Sequence, residues 1–140
     1  MKDERRSGEV PVPGIRAVES LLKHAPERIK RIQYSGPDRG QRARIISHAS
    51  ERGIHIRAVS NKTLDGYLDG VRHQGVFAFA EPAQYVDWSA LYTRPTALLM
   101  AVDQVTDPRN LGAILRASEA LGADGALLTS NRCARLGPTV

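Results

Sequence analysis

The sequence predicts an α/β protein that consists of one small domain and the beginning of a second. Helical and strand patterns alternate along residues 12–82, which is typical of a domain whose helices pack on a sheet. Residues 96–102 form a near-continuous apolar run, as in strands buried on both faces of a parallel sheet. A polar turn then leads into an amphipathic helix, residues 111–121, and a second strand, residues 125–129. We therefore expect a small N-terminal α/β sandwich followed by one βαβ unit.

The first elements of the small domain follow from side-chain spacing. Apolar residues at helical spacing predict a helix that ends near Lys23, with a buried face formed by Ala17, Val18, Leu21 and Leu22. Residues 29–34 alternate between apolar and polar side chains, which predicts a half-buried strand. Residues 35–38 have the composition of a turn. Residues 1–11 are polar and charged, so we expect a mobile tail.

A second helix and two further strands complete this domain. The helix is predicted to end near Arg52, with Gly53 as its stop signal and an inward face of Ala43, Ile46 and Ala49. Residues 54–59 and 75–80 are predicted strands, and Asn61 is predicted to cap a short helix between them. The linker is residues 83–95, which we expect to be pinned to one of the domains through Trp88, Leu91 and Tyr92.

The charge of the chain is unevenly distributed. The net charge of the 140 residues is +5. Residues 1–84 hold 15 lysines and arginines against 10 acidic residues, whereas residues 85–140 hold five of each. A basic domain favours attraction to an RNA backbone. Charge alone leaves this question open, because many basic domains bind no nucleic acid.

Several classes of protein receive no support from the sequence. It has no apolar run of the roughly 18 residues that a membrane span needs and no apolar core near its start for a secretory signal. The single cysteine, Cys133, excludes a disulfide framework and makes a cytoplasmic location the default. The four histidines are widely separated, so we expect no metal site. Glycine-rich nucleotide-binding motifs are also absent.

The turn after residues 96–102 has the features of a ligand site. Asn110 is predicted to cap the following helix, and Gly112 lies in the first turn although glycine disfavours helices by roughly 1 kcal/mol. Arg116 follows one turn later, so it can fold back over Gly112 toward Asn110. Ligands of open α/β sheets bind outside the carboxyl ends of strands, and helix N-termini attract anions. This arrangement suggests a phosphate or ribose site, although on the pattern alone a capped helix with one solvated arginine is the simpler interpretation.

Long sections of the chain resemble SpoU-type RNA 2′-O-ribose methyltransferases of the knotted SPOUT superfamily. The resemblance to their first motif is carried by a spaced set of residues, Asp103, Val105, Asp107, Pro108, Asn110, Gly112, Ala113 and Arg116, and continues through Gly122 into residues 132–140. Residues 14–22 and 73–76 resemble the two ends of the small domain of the large-subunit rRNA guanosine methyltransferases. The resemblance implies a ribosomal-protein-like, RNA-binding domain over residues 12–82. It also implies the first βαβ part of an α/β knot, an incomplete methyltransferase domain, over residues 96–140.

The same resemblance implies a function and a set of functional residues. The implied reaction is methyl transfer from S-adenosylmethionine to a ribose 2′-hydroxyl, most simply of a guanosine in 23S rRNA. Asn110 and Arg116 are the implied catalytic residues, and the family's cofactor-binding knot is expected after Val140. The chain alone is therefore expected to be inactive, and the complete knot domain implies a homodimer. The expected RNA contacts are basic side chains together with Gly112, namely Arg16, Lys23, Lys30, Arg31 and Gly112, with further candidates at Arg28, Arg39, Arg42 and Arg44.

Two alternatives stay open at this point. The chain could be a non-catalytic RNA-binding module in which the basic domain acts alone. It could also belong to an enzyme that methylates tRNA instead of rRNA.

Overall fold

The computed structural model describes residues 8–87, 89 and 96–137. The chain divides between Pro82 and Ala83 into two units, and the first domain predicted from the sequence ends at the same residue. The predicted tail up to residue 7, the ordering of the linker through Trp88, Leu91 and Tyr92, and residues 138–140 lie outside the described residues.

A four-stranded sheet organises the first unit. Its strands are β1 (Val10–Pro13), β2 (Ile29–Tyr34), β3 (His55–Ala58) and β4 (Val76–Ala80), in the spatial order β1-β4-β2-β3. β2 and β3 are parallel, whereas β4 is antiparallel to both β1 and β2. β4 is buried along its whole length because it lies inside the sheet and both of its faces are covered.

Helices cover the sheet on one face and a shorter segment covers it on the other. Helices α1 (Ile15–His24) and α2 (Gln41–Glu51) pack on the first face. The core there consists of eight buried residues, Val18, Leu22, Ile29, Ile32, Ile45, Ala49, Val76 and Ala78. On the second face, α3 (Asn61–Asp65) and the chain after it enclose Leu64, Phe77 and Phe79. A short 3-10 helix, Pro26–Arg28, connects α1 to β2.

The observed strand β1 corrects the extent of the predicted tail. Residues 10 and 11 are assigned to the tail from the sequence, but Val10 pairs with Ala80 and Pro11 with Phe79. The prolines in Val10–Pro13 argue against a strand, since proline cannot donate to the hydrogen-bond ladder. They are tolerated because β1 is an edge strand.

Two helix details also differ from the sequence prediction. In α1, Ala17 is exposed, and in α2 the inward stripe is Ile45 and Ala49, with Ala43 and Ile46 only half-buried. The cap of α3 is Ser60, whose hydroxyl accepts a hydrogen bond from the Thr63 amide at 3.1 Å. Asn61 instead accepts a hydrogen bond from the Ser35 hydroxyl at 2.9 Å. The inward stripe of α2 and the cap of α3 each differ from the prediction by one residue, a difference that side-chain spacing alone resolves poorly.

The second unit contains the predicted βαβ arrangement. Strands β5 (Leu99–Val102) and β6 (Gly125–Leu128) are parallel, and α4 (Pro108–Ala120) connects them. Val102 of β5 and Leu111 and Ser118 of α4 are buried. The prediction of a strand buried on both faces is wrong for β5: Ala101 is exposed, and Val102 is its one buried residue.

Within the described part of the chain, no helix is long and apolar enough to cross a membrane. A search of the same residues finds no group of three or more histidine, cysteine, aspartate or glutamate side chains that could hold a metal ion.

Candidate nucleic-acid interface

A tight turn at residues 73–75 makes hydrogen bonds to several helices and strands of the first unit. Gln74 and Gly75 both have a positive φ, at 54° and 77°. The buried ring of His73 accepts a hydrogen bond from the Gly75 amide through Nδ1 at 3.0 Å. The proton of the ring therefore lies on Nε2, which donates to Asp65 Oδ1 at 2.8 Å. His73 thus fixes both the turn and its attachment to α3.

Residues 73–75 also fix the start of α1 and the end of β2. The Gln74 side-chain oxygen lies 3.4 Å from the Ile15 amide, which donates to it, and the Ser35 amide donates to Gly75 O at 2.9 Å. The Arg42 guanidinium donates to Pro37 O at 2.9 Å and to Gln74 O at 3.2 Å. The two segments that carry the family resemblance in this domain therefore meet in space and have an architectural role.

Topology brings four segments together at this end of the sheet. β1, β2 and β3 end here and β4 begins here, as the bonds Gly14 N–Val76 O, Ser35 N–Gly75 O and Val59 N–Tyr34 O show. Helices α1, α2 and α3 begin here as well. We call residues 14–18, 35–44, 59–66 and 70–75 the turn end. The far end comprises residues 8–10, 22–30, 49–55 and 80–82.

The basic residues that the sequence predicts to contact RNA do not form one site. Arg16 is exposed at the turn end, whereas Lys23 is exposed at the last turn of α1 and thus lies at the far end. Lys30 forms an ion pair with Glu81 at 2.5 Å. Its hydrogen bond and charge, in that order, hold the pKa of the Glu81 carboxyl below the usual value, and the charge of Arg28 acts in the same direction.

Arg31, another residue of the predicted set, already has partners within the protein. Its guanidinium pairs with Glu9 and lies 4.0 Å from the centre of the Phe79 ring, and its side chain is only 15% exposed. Its charge is therefore already paired inside the protein, and little of its side chain is exposed to solvent. Two basic residues at the turn end, Lys62 and Arg72, are exposed but lie outside the predicted set. The Ser35 hydroxyl bonds to Asn61, the neighbour of Lys62, through the parallel pairing of β2 with β3, so local patterns give no signal for this position.

The start of α4 differs from its prediction by three residues. Asp107 is the cap, its side chain accepting from the Arg109 amide at 2.9 Å, and Pro108 is the first helical residue. The prediction that Asn110 caps this helix is therefore wrong, because the Asp-Pro pair starts the helix earlier. Asn110 and Arg116 are both exposed. They lie about 120° apart around α4, since each residue advances the helix by roughly 100°.

Arg116 and Gly112 occupy the same side of α4, one turn apart, as the sequence predicts. Gly112 is buried and Arg116 is exposed. Among the described residues, neither the Asn110 carboxamide nor the Arg116 guanidinium hydrogen bonds to another group. Both side chains are therefore available to a ligand.

The loops that follow β5 and β6 adjoin the start of α4. They are joined by a hydrogen bond from the Ala134 amide to Val105 O at 2.7 Å. Each loop holds one non-glycine residue with a positive φ, Gln104 at 55° and Arg132 at 56°. Such conformations are uncommon for these residue types and concentrate at functional sites. The carboxyl edge of this sheet thus combines backbone strain with available polar side chains.

Residues 11–86 match the family described as RNA 2′-O ribose methyltransferase substrate binding. This chain belongs to that family. The match covers the whole turn end, so the substrate-binding domain of the family corresponds to the first unit and the few residues after it.

Relatives extend the similarity beyond the substrate-binding domain. The chain is 39% identical over 131 residues to a protein of Bordetella pertussis named 23S rRNA (guanosine-2'-O-)-methyltransferase RlmB, with 91% of this chain and 54% of that protein covered. A protein of the same name from Salmonella typhimurium is 38% identical over 133 residues, with 90% and 54% covered. The chain thus spans about half the length of the curated relatives it matches.

A solved structure supports the same fold. The SpoU methyltransferase AviRb from Streptomyces viridochromogenes, solved with AdoMet, aligns with a TM-score of 0.68 and 25% identity, covering 96% of this chain and 49% of that one. An rRNA methyltransferase from Sinorhizobium meliloti aligns with a TM-score of 0.64 and 25% identity, covering 87% and 44%. The predicted α/β fold class, as the N-terminal part of a SpoU methyltransferase fold, is confirmed.

Proposed function

We propose that this chain forms the N-terminal half of an enzyme that methylates a ribose 2′-hydroxyl of 23S rRNA, at a guanosine. The observation that carries this proposal is the identity of 39% over 131 residues, which extends across both units to a named 23S rRNA guanosine methyltransferase. Similarity confined to the first unit would favour a binding module alone. In the second unit, Asn110 and Arg116 also remain exposed on α4.

The two units have different tasks in this proposal. The first unit binds the RNA, in keeping with its family and with its excess of basic residues. In the second unit, Arg116 faces the substrate ribose. A guanidinium stays protonated in proteins, so Arg116 does not remove the proton of the hydroxyl. It stabilises the alkoxide that develops as the hydroxyl attacks, or it holds the neighbouring phosphate, and either role is electrostatic. Asn110 orients the hydroxyl or the loop.

S-adenosylmethionine is the proposed methyl donor, and its sulfonium supplies the methyl group when it is bound. The cofactor named for AviRb supports this assignment. We assign no described residue to cofactor binding. The remaining parts of the proposal, a homodimer through the complete knot domain and a cytoplasmic location, follow from the family resemblance.

Transfer of labelled methyl groups tests the proposed activity. The complete reading frame that contains this sequence should be expressed and incubated with labelled S-adenosylmethionine and unmodified 23S rRNA. We expect label at a guanosine 2′-oxygen, located by mass spectrometry of nuclease fragments. Label in tRNA instead would show that the substrate is tRNA and not rRNA. Tight RNA binding without label would support the non-catalytic module.

A further inference from the structure

The turn end of the first unit carries an excess of positive charge that the far end lacks. Its segments contain six arginines and lysines, Arg16, Arg39, Arg42, Arg44, Lys62 and Arg72, against two acidic residues, Asp38 and Asp65. The far end contains four basic residues, Lys23, Arg28, Lys30 and Arg52, against four acidic ones, Glu9, Glu27, Glu51 and Glu81. The net charge of the domain therefore lies at one end of its sheet.

The charges at the two ends also differ in how they are paired. At the far end, Lys30 pairs with Glu81, and Arg28 donates to the Glu81 carbonyl at 2.8 Å. At the turn end, all the basic residues except Arg42 are exposed, and these five side chains make no hydrogen bond or ion pair with other described residues. The Asp65 carboxylate accepts from His73. The turn end thus keeps an excess of four positive charges, from six basic and two acidic residues.

Hydrogen bonds hold the backbone segments that carry the exposed basic residues of the turn end. Arg42 connects the Pro37 carbonyl to the Gln74 carbonyl, while His73 and Gln74 attach the turn to α3 and α1. The backbone around Arg16, Arg39 and Arg72 is therefore held in place before any ligand arrives. Preorganised charges lose less conformational entropy on binding than charges on mobile segments do.

We infer that the turn end is the surface of the first unit that binds the phosphates of the RNA backbone. Arg16, Arg39, Arg44, Lys62 and Arg72 are the contact residues. Exposed, unpaired guanidinium and ammonium groups displace counterions from nucleic acid, and arginine forks match phosphate oxygens. This inference rests on the proposed RNA-binding function and adds which surface performs it. It excludes Lys23, Lys30 and Arg31 from the interface.

Helices α1 and α2 offer a matched pair of double variants in the 140-residue chain. Arg16→Gln with Arg39→Gln removes one charge at the beginning of α1 and one just before α2. Lys23→Gln with Arg52→Gln removes one charge at the last turn of α1 and one just after α2. All four residues are exposed, and both double variants lower the net charge by the same amount. Binding of a fluorescently labelled RNA hairpin is measured by anisotropy across a series of KCl concentrations, and folding is checked by thermal melting.

The turn-end variant should bind at least about tenfold more weakly, and its log–log salt slope should fall by about two, since each lost phosphate contact removes roughly one unit. The far-end variant should keep the wild-type slope and lose less than about twofold in affinity. Equal losses in the two variants would overturn the inference, because net charge alone would then attract the RNA. Wild-type protein that fails to bind the hairpin at all would count against the proposed RNA-binding function itself.

Discussion

The two units of this chain differ in how they bury their secondary structure. In the first, β4 lies between β1 and β2 and is covered on both faces, so all five of its residues are buried. In the second, the described residues form one helix and a sheet of two strands, and every residue of β6 is only half-buried. The first unit has the internal packing of an independent domain. In the second unit, the strands and the helix that carry the candidate site leave part of their apolar surface exposed.

The comparison separates binding from chemistry. Basic side chains and a rigid turn belong to the first unit, and Asn110 and Arg116 belong to the second.

Removal of the Arg116 guanidinium should abolish methyl transfer by the complete protein while RNA binding by the first unit persists. Loss of one electrostatic donor typically lowers the rate by about 10²–10³. Arg116→Lys should also be impaired, since an ammonium cannot reproduce the planar fork. The assay uses labelled methyl transfer at saturating cofactor, with melting as the folding control. Near wild-type turnover in well-folded Arg116→Ala protein would make Arg116 a solvated surface residue.

Hydrogen exchange should distinguish the two units of the 140-residue chain directly. Amides of β2 and β4 should exchange at least about a hundredfold more slowly than those of β5 and β6, because local stability follows burial of the surrounding apolar side chains. Mass spectrometry of peptic fragments gives the rates. Equal protection in both sheets would mean that the second unit is as stable as the first.

A methyl group at Gly75 should destabilise the first unit strongly. An added Cβ would lie 2.7 Å from the Arg42 guanidinium and 3.1 Å from Ser35 O, at a φ of 77°. We expect Gly75→Ala to lower the free energy of unfolding by about 2–4 kcal/mol. Gly53→Ala is the control: φ there is 67° with nothing within 4 Å, so only about 1–2 kcal/mol of backbone strain applies. Urea denaturation measures both, and equal losses would show that the crowding at Gly75 has no energetic effect.

The smallest expected effect concerns the paired charges at the far end. Lys30 lowers the pKa of Glu81. A carboxyl with a lowered pKa in the folded state adds stability above its unfolded pKa, and this stability disappears as the pH falls through the folded pKa. In Lys30→Gln, NMR titration should show the Glu81 pKa rising toward its ordinary value. The change in melting temperature should be slight and should diminish in salt, because both side chains are solvent-exposed. An unchanged Glu81 pKa would contradict the pairing.

The sequence predicts these elements unevenly, for physical reasons. Strand β2 and the βαβ order follow from local periodicity, and their predictions agree with the structure. Strand β1 and the inward face of α2 depend on partners distant in sequence, so periodicity misplaces them. For the candidate sites, the position of Arg116 one turn after Gly112 follows from helix geometry. The compensation of Arg31 by Glu9 and Phe79, and the gathering of Lys62 and Arg72 at the turn end, come from tertiary pairing.

The central claim is that RNA binding belongs to the first unit. It is tested most directly by comparing RNA affinity of residues 1–84 alone with that of the 140-residue chain, across a range of salt concentrations. The account predicts dissociation constants within about threefold of each other and steep, equal salt slopes, each phosphate contact adding roughly one unit. A folded fragment of residues 1–84 that does not bind, or binds with no dependence on salt, would contradict the claim.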